Sequence, residues 1–85
     1  MKPSDKIWWY VETQGVTLCR RDAGAPLSLF YPYAGLWTLI VSGNYNRAEA
    51  DELMSVLMSA DKDEAAHEVA NTIAEWTTLG LLVED

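Results

Sequence analysis

The apolar pattern begins at Ile7-Trp8-Trp9-Tyr10-Val11. Successive side chains of a strand point to opposite faces. In a predicted strand Ile7–Glu12, Ile7, Trp9 and Val11 therefore share one face, and Trp8 and Tyr10 share the other. Both faces are large and apolar. Thr13-Gln14-Gly15 reads as a turn, with Gly15 free to take positive φ. Val16–Arg21 alternates, with Val16, Leu18 and Arg20 opposite Thr17, Cys19 and Arg21. Asp22 to Pro26 forms a second turn, in which Gly24 is the flexible position. Leu27–Tyr31 is a third strand, with Leu27, Leu29 and Tyr31 on one face and Ser28 and Phe30 on the other. Connections this short predict an antiparallel meander.

The period changes at Pro32, which suits a first helical position because its missing N–H has no partner there anyway. Tyr33, Leu36, Trp37, Leu39 and Ile40 then recur at helical spacing, and Gly43 is placed to stop the helix. Asn46 and Glu49 form a capping-box-like start. Ala50, Leu53, Met54 and Leu57 line one face of a second helix that runs to about Ser59. Asp61 and Asp63 are candidate caps for a third helix, and Glu64 is favourable in its first turn. Its expected inward stripe is Ala66, Val69, Ile73 and Trp76, and Gly80 ends it. The expected class is α+β: a three-stranded antiparallel sheet followed by three helices, one layer of each, in a single domain spanning residues 1–85.

Composition decides how far this layer of helices can cover the sheet. A chain of 85 residues is near the small end of what folds alone and buries about 60% of its extended surface. An apolar fraction of 49% with four Trp, four Tyr and one Phe excludes a disordered chain. Three short helices cover one sheet face. Trp8 and Tyr10 on the other are therefore expected to be exposed and to dock a partner or a second copy of the chain.

Charge narrows the partners. With 6 Lys and Arg against 13 Asp and Glu, the net charge is −7. Nucleic-acid binding draws on cations at phosphates, and acidic membrane surfaces attract basic segments, so neither partner is expected. Two helices joined by a short polar turn beside a sheet also fit a winged helix-turn-helix. The outward positions of the third helix, however, are Glu64, His67, Glu68, Asn71, Glu75 and Thr78, which would set carboxylates against phosphates. Cys19 is the one cysteine, so no internal disulfide is possible. Met1 to Lys6 lacks the apolar run of a secretory signal, and no stretch approaches a membrane span. A cytoplasmic protein is expected.

Signals for catalysis are weak. A nucleophile pair would have to be Cys19 with His67, which have no recognisable local signature. One His and one Cys cannot complete a tetrahedral metal site. No Gly-rich phosphate loop is present. Neither catalytic residues, metal nor cofactor is expected. The third helix instead carries an uncharged flank of His67, Ala70, Asn71, Ala74 and Thr78. Such small residues either allow close packing or leave a channel that admits side chains of an extended peptide.

The order of elements and several phrases resemble the PqqD-like family, the recognition domains for leader peptides of ribosomally made, modified peptides. The phrases are Ala34-Gly35-Leu36-Trp37-Thr38-Leu39-Ile40-Val41-Ser42-Gly43, then Asn46-Arg47-Ala48-Glu49-Ala50-Asp51-Glu52-Leu53, then Trp76-Thr77-Thr78-Leu79-Gly80-Leu81-Leu82. The likeness spans roughly residues 7–83. It implies a winged-helix-like fold and a non-catalytic peptide chaperone. The leader would add as a strand at a sheet edge, contact the third helix, and be presented to a maturase of the radical SAM type, as in pyrroloquinoline quinone (PQQ) biosynthesis. Carried onto this chain, the peptide site comprises Leu27, Ser28, Leu29, Phe30 and Tyr31 with His67, Ala70, Asn71, Ala74 and Thr78. Trp8 and Tyr10 are left for docking of the maturase. The other reading is a homodimer of the same fold that binds no leader.

Overall fold

The computed structural model describes residues 1–22 and 24–84. Its elements are β1 (Lys2–Pro3), β2 (Ile7–Glu12), β3 (Gly15–Arg20), β4 (Leu27–Phe30), α1 (Tyr33–Val41), α2 (Arg47–Met58), α3 (Lys62–Thr78) and β5 (Leu82–Val83). Strands β2, β3 and β4 form an antiparallel sheet in that order, followed by the three helices, an α+β arrangement. Trp9, Leu18 and Leu27 stand side by side on the inner face, as do Val11, Val16 and Leu29. The outer face carries the rows Trp8–Cys19, Tyr10–Thr17–Ser28 and Glu12–Gly15–Phe30.

Local chemistry accounts for the boundaries, with three corrections. Gly15 does not take a positive φ. It is the first residue of β3, and a Cβ there would collide with the carbonyl oxygen of Leu29, so its role is the close approach of β3 to β4. Gly24 does adopt positive φ, at +97°, while its neighbour Ala23 lies outside the described residues. Tyr31 falls beyond the end of β4, and Pro32 is the N-cap of α1 rather than its first residue.

The other helix ends follow expectation. Asn46 Oδ1 accepts from the N–H groups of Ala48 and Glu49 at 2.9 and 3.3 Å. Asp61 Oδ1 accepts from Glu64 N–H at 2.8 Å. Each cap satisfies donors that have no partner inside the helix. Gly43 and Gly80 follow α1 and α3 in left-handed conformations.

The core lies between the inner sheet face and the helices. Trp37 is fully buried at its centre and stands edge-to-face between Trp9 and Trp76, with ring centroids 5.6 and 5.5 Å apart. Ile7, Val16, Leu18 and Leu29 pack from the sheet, and Ala34, Leu36, Met54, Val69 and others from the helices. Gly35 belongs to the same economy of space, since a Cβ there would lie 2.8 Å from Leu57 Cδ1 on α2.

The short sheet of β1 and β5 was not expected. Lys2 pairs with Val83 and Pro3 with Leu82, and Ser4 N–H donates to the Leu81 carbonyl at 3.0 Å. It holds Leu81 and Leu82 in the core. Among the described residues, no helix is long and apolar enough to cross a membrane.

Candidate peptide-binding groove

Strand β4 is an edge of its sheet, and edge strands present a row of unpaired backbone donors and acceptors. Two contacts fix α3 beside this edge. At one end the Tyr33 hydroxyl donates to Glu68 Oε1 at 2.8 Å. At the other, the Arg20 guanidinium donates to the Leu79 carbonyl, where a cation also opposes the negative end of the helix dipole. Arg20 lies two residues beyond Leu18, the partner of Leu27. The end of α3 therefore sits near the start of β4, and the two elements run in opposite directions.

Between them is a groove of about 220 Å³. Leu27 and Leu29 form the strand side, Thr72, Trp76 and Leu79 the helix side, and Glu68, Glu75 and Tyr33 complete the lining. Thr72 and Trp76 are buried, whereas Leu27 and Leu79 remain exposed. The hydrogen bond to Glu68, then burial and the charges of Glu68 and Glu75, raise the Tyr33 hydroxyl above its ordinary pKa. It stays a donor throughout the neutral range. The arrangement joins the edge backbone of β4, apolar surface and two carboxylates.

The residues expected on the helix side are not those found there. The buried stripe of α3 is Ala65, Val69, Thr72 and Trp76, not Ala66, Val69, Ile73 and Trp76. Ala66 and Ile73 are only half-buried, which rotates the helix by roughly half of one residue's 100° step. His67, Ala70, Asn71, Ala74 and Thr78 are consequently all exposed and line no part of the groove. His67 and Ala70 instead border a shallow hollow with Arg47 and Asp61 at the other side of α3. Glu68 and Glu75, read from sequence as solvent-facing, flank the groove. The spacing 65-69-72-76 was available as a signal, but Ile73 outranked Thr72 on hydropathy.

On the strand side, Leu27 and Leu29 are placed as expected. Ser28 and Phe30 point to the outer face, where they border a hollow around Gly15. Tyr31 lies past the strand and lines an apolar hollow with Gly35, Leu39, Leu53 and Leu57. The outer face itself matches the sequence reading: Trp8 and Tyr10 are 47% and 46% exposed, with ring centroids 6.2 Å apart. Phe30, at 59%, adds to it. Thr17 is buried among them and donates to Glu12 Oε2 at 2.7 Å. Val11 keeps its predicted face beside Val16 but lies uncovered there and is exposed.

Cys19 stands on the outer sheet face and His67 on the side of α3 turned from the core, so the two form no pair. Among the described residues, no three of His, Cys, Asp and Glu gather as a metal-binding group. Comparison with family models, with curated proteins and with solved structures finds no match for this chain.

Proposed function

We propose that this chain is a non-catalytic, cytoplasmic peptide-recognition domain of the PqqD-like kind. It binds the leader of a ribosomally made precursor peptide as a strand added to β4 and presents it to a radical SAM maturase. The observation that carries the reading is the unpaired edge of β4 facing α3 across an apolar-floored groove. In β-augmentation the main chain supplies affinity and alternate side chains supply selectivity. Leu27, Leu29, Thr72, Trp76 and Leu79 receive side chains in this reading. Ala70 and Ala74 have no part in it.

The test is titration of isotopically labelled protein with leader segments of short reading frames encoded beside its gene. Amide signals of β4 and of residues 68–79 are expected to move, while those of α2 stay still. Shifts confined to α2 would overturn the proposal.

A second reading, a homodimer that binds no leader, is favoured by the exposed Trp8, Tyr10 and Phe30 face. Sedimentation analysis separates the two, since only the second requires a stable dimer of the isolated chain.

A further inference from the structure

We infer that the groove beside β4 takes an extended cationic segment, in which two basic residues flank one apolar residue at alternate positions. The inference rests on the strand-addition reading and adds the chemistry of the occupant. Glu68 and Glu75 lie two helical turns apart, about 10.5 Å along the axis of α3. Thr72 falls between them, and Trp76 is beside Glu75 in the same lining. A strand rises about 3.3 Å per residue, so side chains that face α3 recur roughly every 6.6 Å. Positions i and i+4 of an added strand then span about 13 Å, and long, flexible Lys or Arg side chains close the small difference to the carboxylate pair. Position i+2 lies over Thr72 and Trp76, where an apolar side chain is covered.

The charges around the groove point the same way. Among the described residues, no Lys or Arg lines it. The cation at its end, Arg20, is engaged by the Leu79 carbonyl. Glu68 accepts from Tyr33, yet a carboxylate has about four acceptor sites and so retains capacity for an incoming ammonium or guanidinium. An acidic segment in the same place would meet two like charges at close range. The selection therefore arises inside the groove and not only from the net charge of the molecule.

The probes are two fluorescein-labelled peptides with identical Gly-Ser flanks, one centred on Lys-Thr-Phe-Thr-Lys and the other on Glu-Thr-Phe-Thr-Glu. Binding is followed by anisotropy, and its place by amide shifts of the labelled protein. The lysine peptide is expected to bind, to move the amides of Leu27 and Leu29, and to bind roughly tenfold more weakly to the Glu68→Gln/Glu75→Gln variant. The Glu49→Gln/Glu52→Gln variant removes the same charge from the exposed surface of α2 and is expected to change affinity less than about twofold. Equal losses in the two variants would reduce the effect to net charge and overturn the inference. Equal binding of the glutamate peptide at β4 would also overturn it while leaving strand addition standing. Binding of the lysine peptide with silent β4 amides would overturn both. No binding of the lysine peptide overturns the inference.

Discussion

The groove beside β4 and the outer face of the sheet both expose apolar side chains, but they offer different chemistry. On the outer face, Trp8 and Tyr10 of β2 and Phe30 of β4 project from the plane of the sheet, in which the backbone hydrogen bonds lie, so that face presents side-chain surface. A partner there is selected by shape, as aromatic contacts select it. At the groove, the edge of β4 adds unpaired backbone groups, and Glu68 and Glu75 add charge. A partner there must be extended to satisfy the backbone. Under the proposed strand addition, the same three strands carry one surface suited to a folded partner and another suited to an extended segment.

Trp37 supports both surfaces, because it touches Trp9 beneath the sheet and Trp76 in the groove wall. Trp37→Ala is expected to cost about 4 kcal/mol and to abolish both surfaces together, read by chemical denaturation and loss of near-ultraviolet circular dichroism. A stable variant that loses one surface alone would show the two to be independent.

Gly15→Ala separates them. Its Cβ would meet the Leu29 carbonyl, so β4 is pushed from β3 at an expected cost of about 2 kcal/mol. Amide exchange should accelerate in β4 first, while Trp8 and Tyr10 on β2 keep their environment by fluorescence.

Tyr33→Phe removes the donor at one end of the groove and is expected to cost about 1 kcal/mol. The folded state raises the Tyr33 pKa, so its contribution is complete below the ordinary tyrosine value and is lost as pH rises through the folded value. Wild-type stability should therefore fall on the alkaline side, and the variant should show a shallower fall in melting temperature there.

Two surface changes are expected to leave stability within about 0.5 kcal/mol. Trp8→Ser should weaken any self-association or maturase docking, measured by sedimentation, without affecting peptide binding in the groove. Ala74→Leu sharpens the placement of the groove further. Ala74 is exposed and outside it, so peptide affinity measured by calorimetry should not change. A lost affinity would restore the small-residue flank of α3 as the site.

The corrections share a cause that is visible residue by residue. The period-2 alternation of β2 places Trp8 and Tyr10 without reference to anything distant, and the structure agrees. Asn46, Asp61 and Gly43 mark helix ends through bonds and torsions within a few residues of themselves. The rotation of α3 is different, because Thr72 and Ile73 are neighbours on the helix and either can face inward. The choice depends on how α3 packs against α2 and the sheet, where Thr72 is buried and Ile73 is left half-covered. A window along α3 contains no term for that packing.

By itself the sequence determined the order of β2 to β4 and α1 to α3, the α+β class, the strand faces of β2 and the N-caps of α2 and α3, because each rests on local spacing and local hydrogen bonds. It also placed Leu27 and Leu29 together on one face of β4. Only the tertiary structure decided that Glu68, Thr72 and Glu75 line the groove, and that Gly15 serves strand contact rather than a turn. It alone paired β1 with β5 across nearly the whole chain. Those features depend on which distant surfaces meet, and strands of two residues carry too little periodicity to announce their partner.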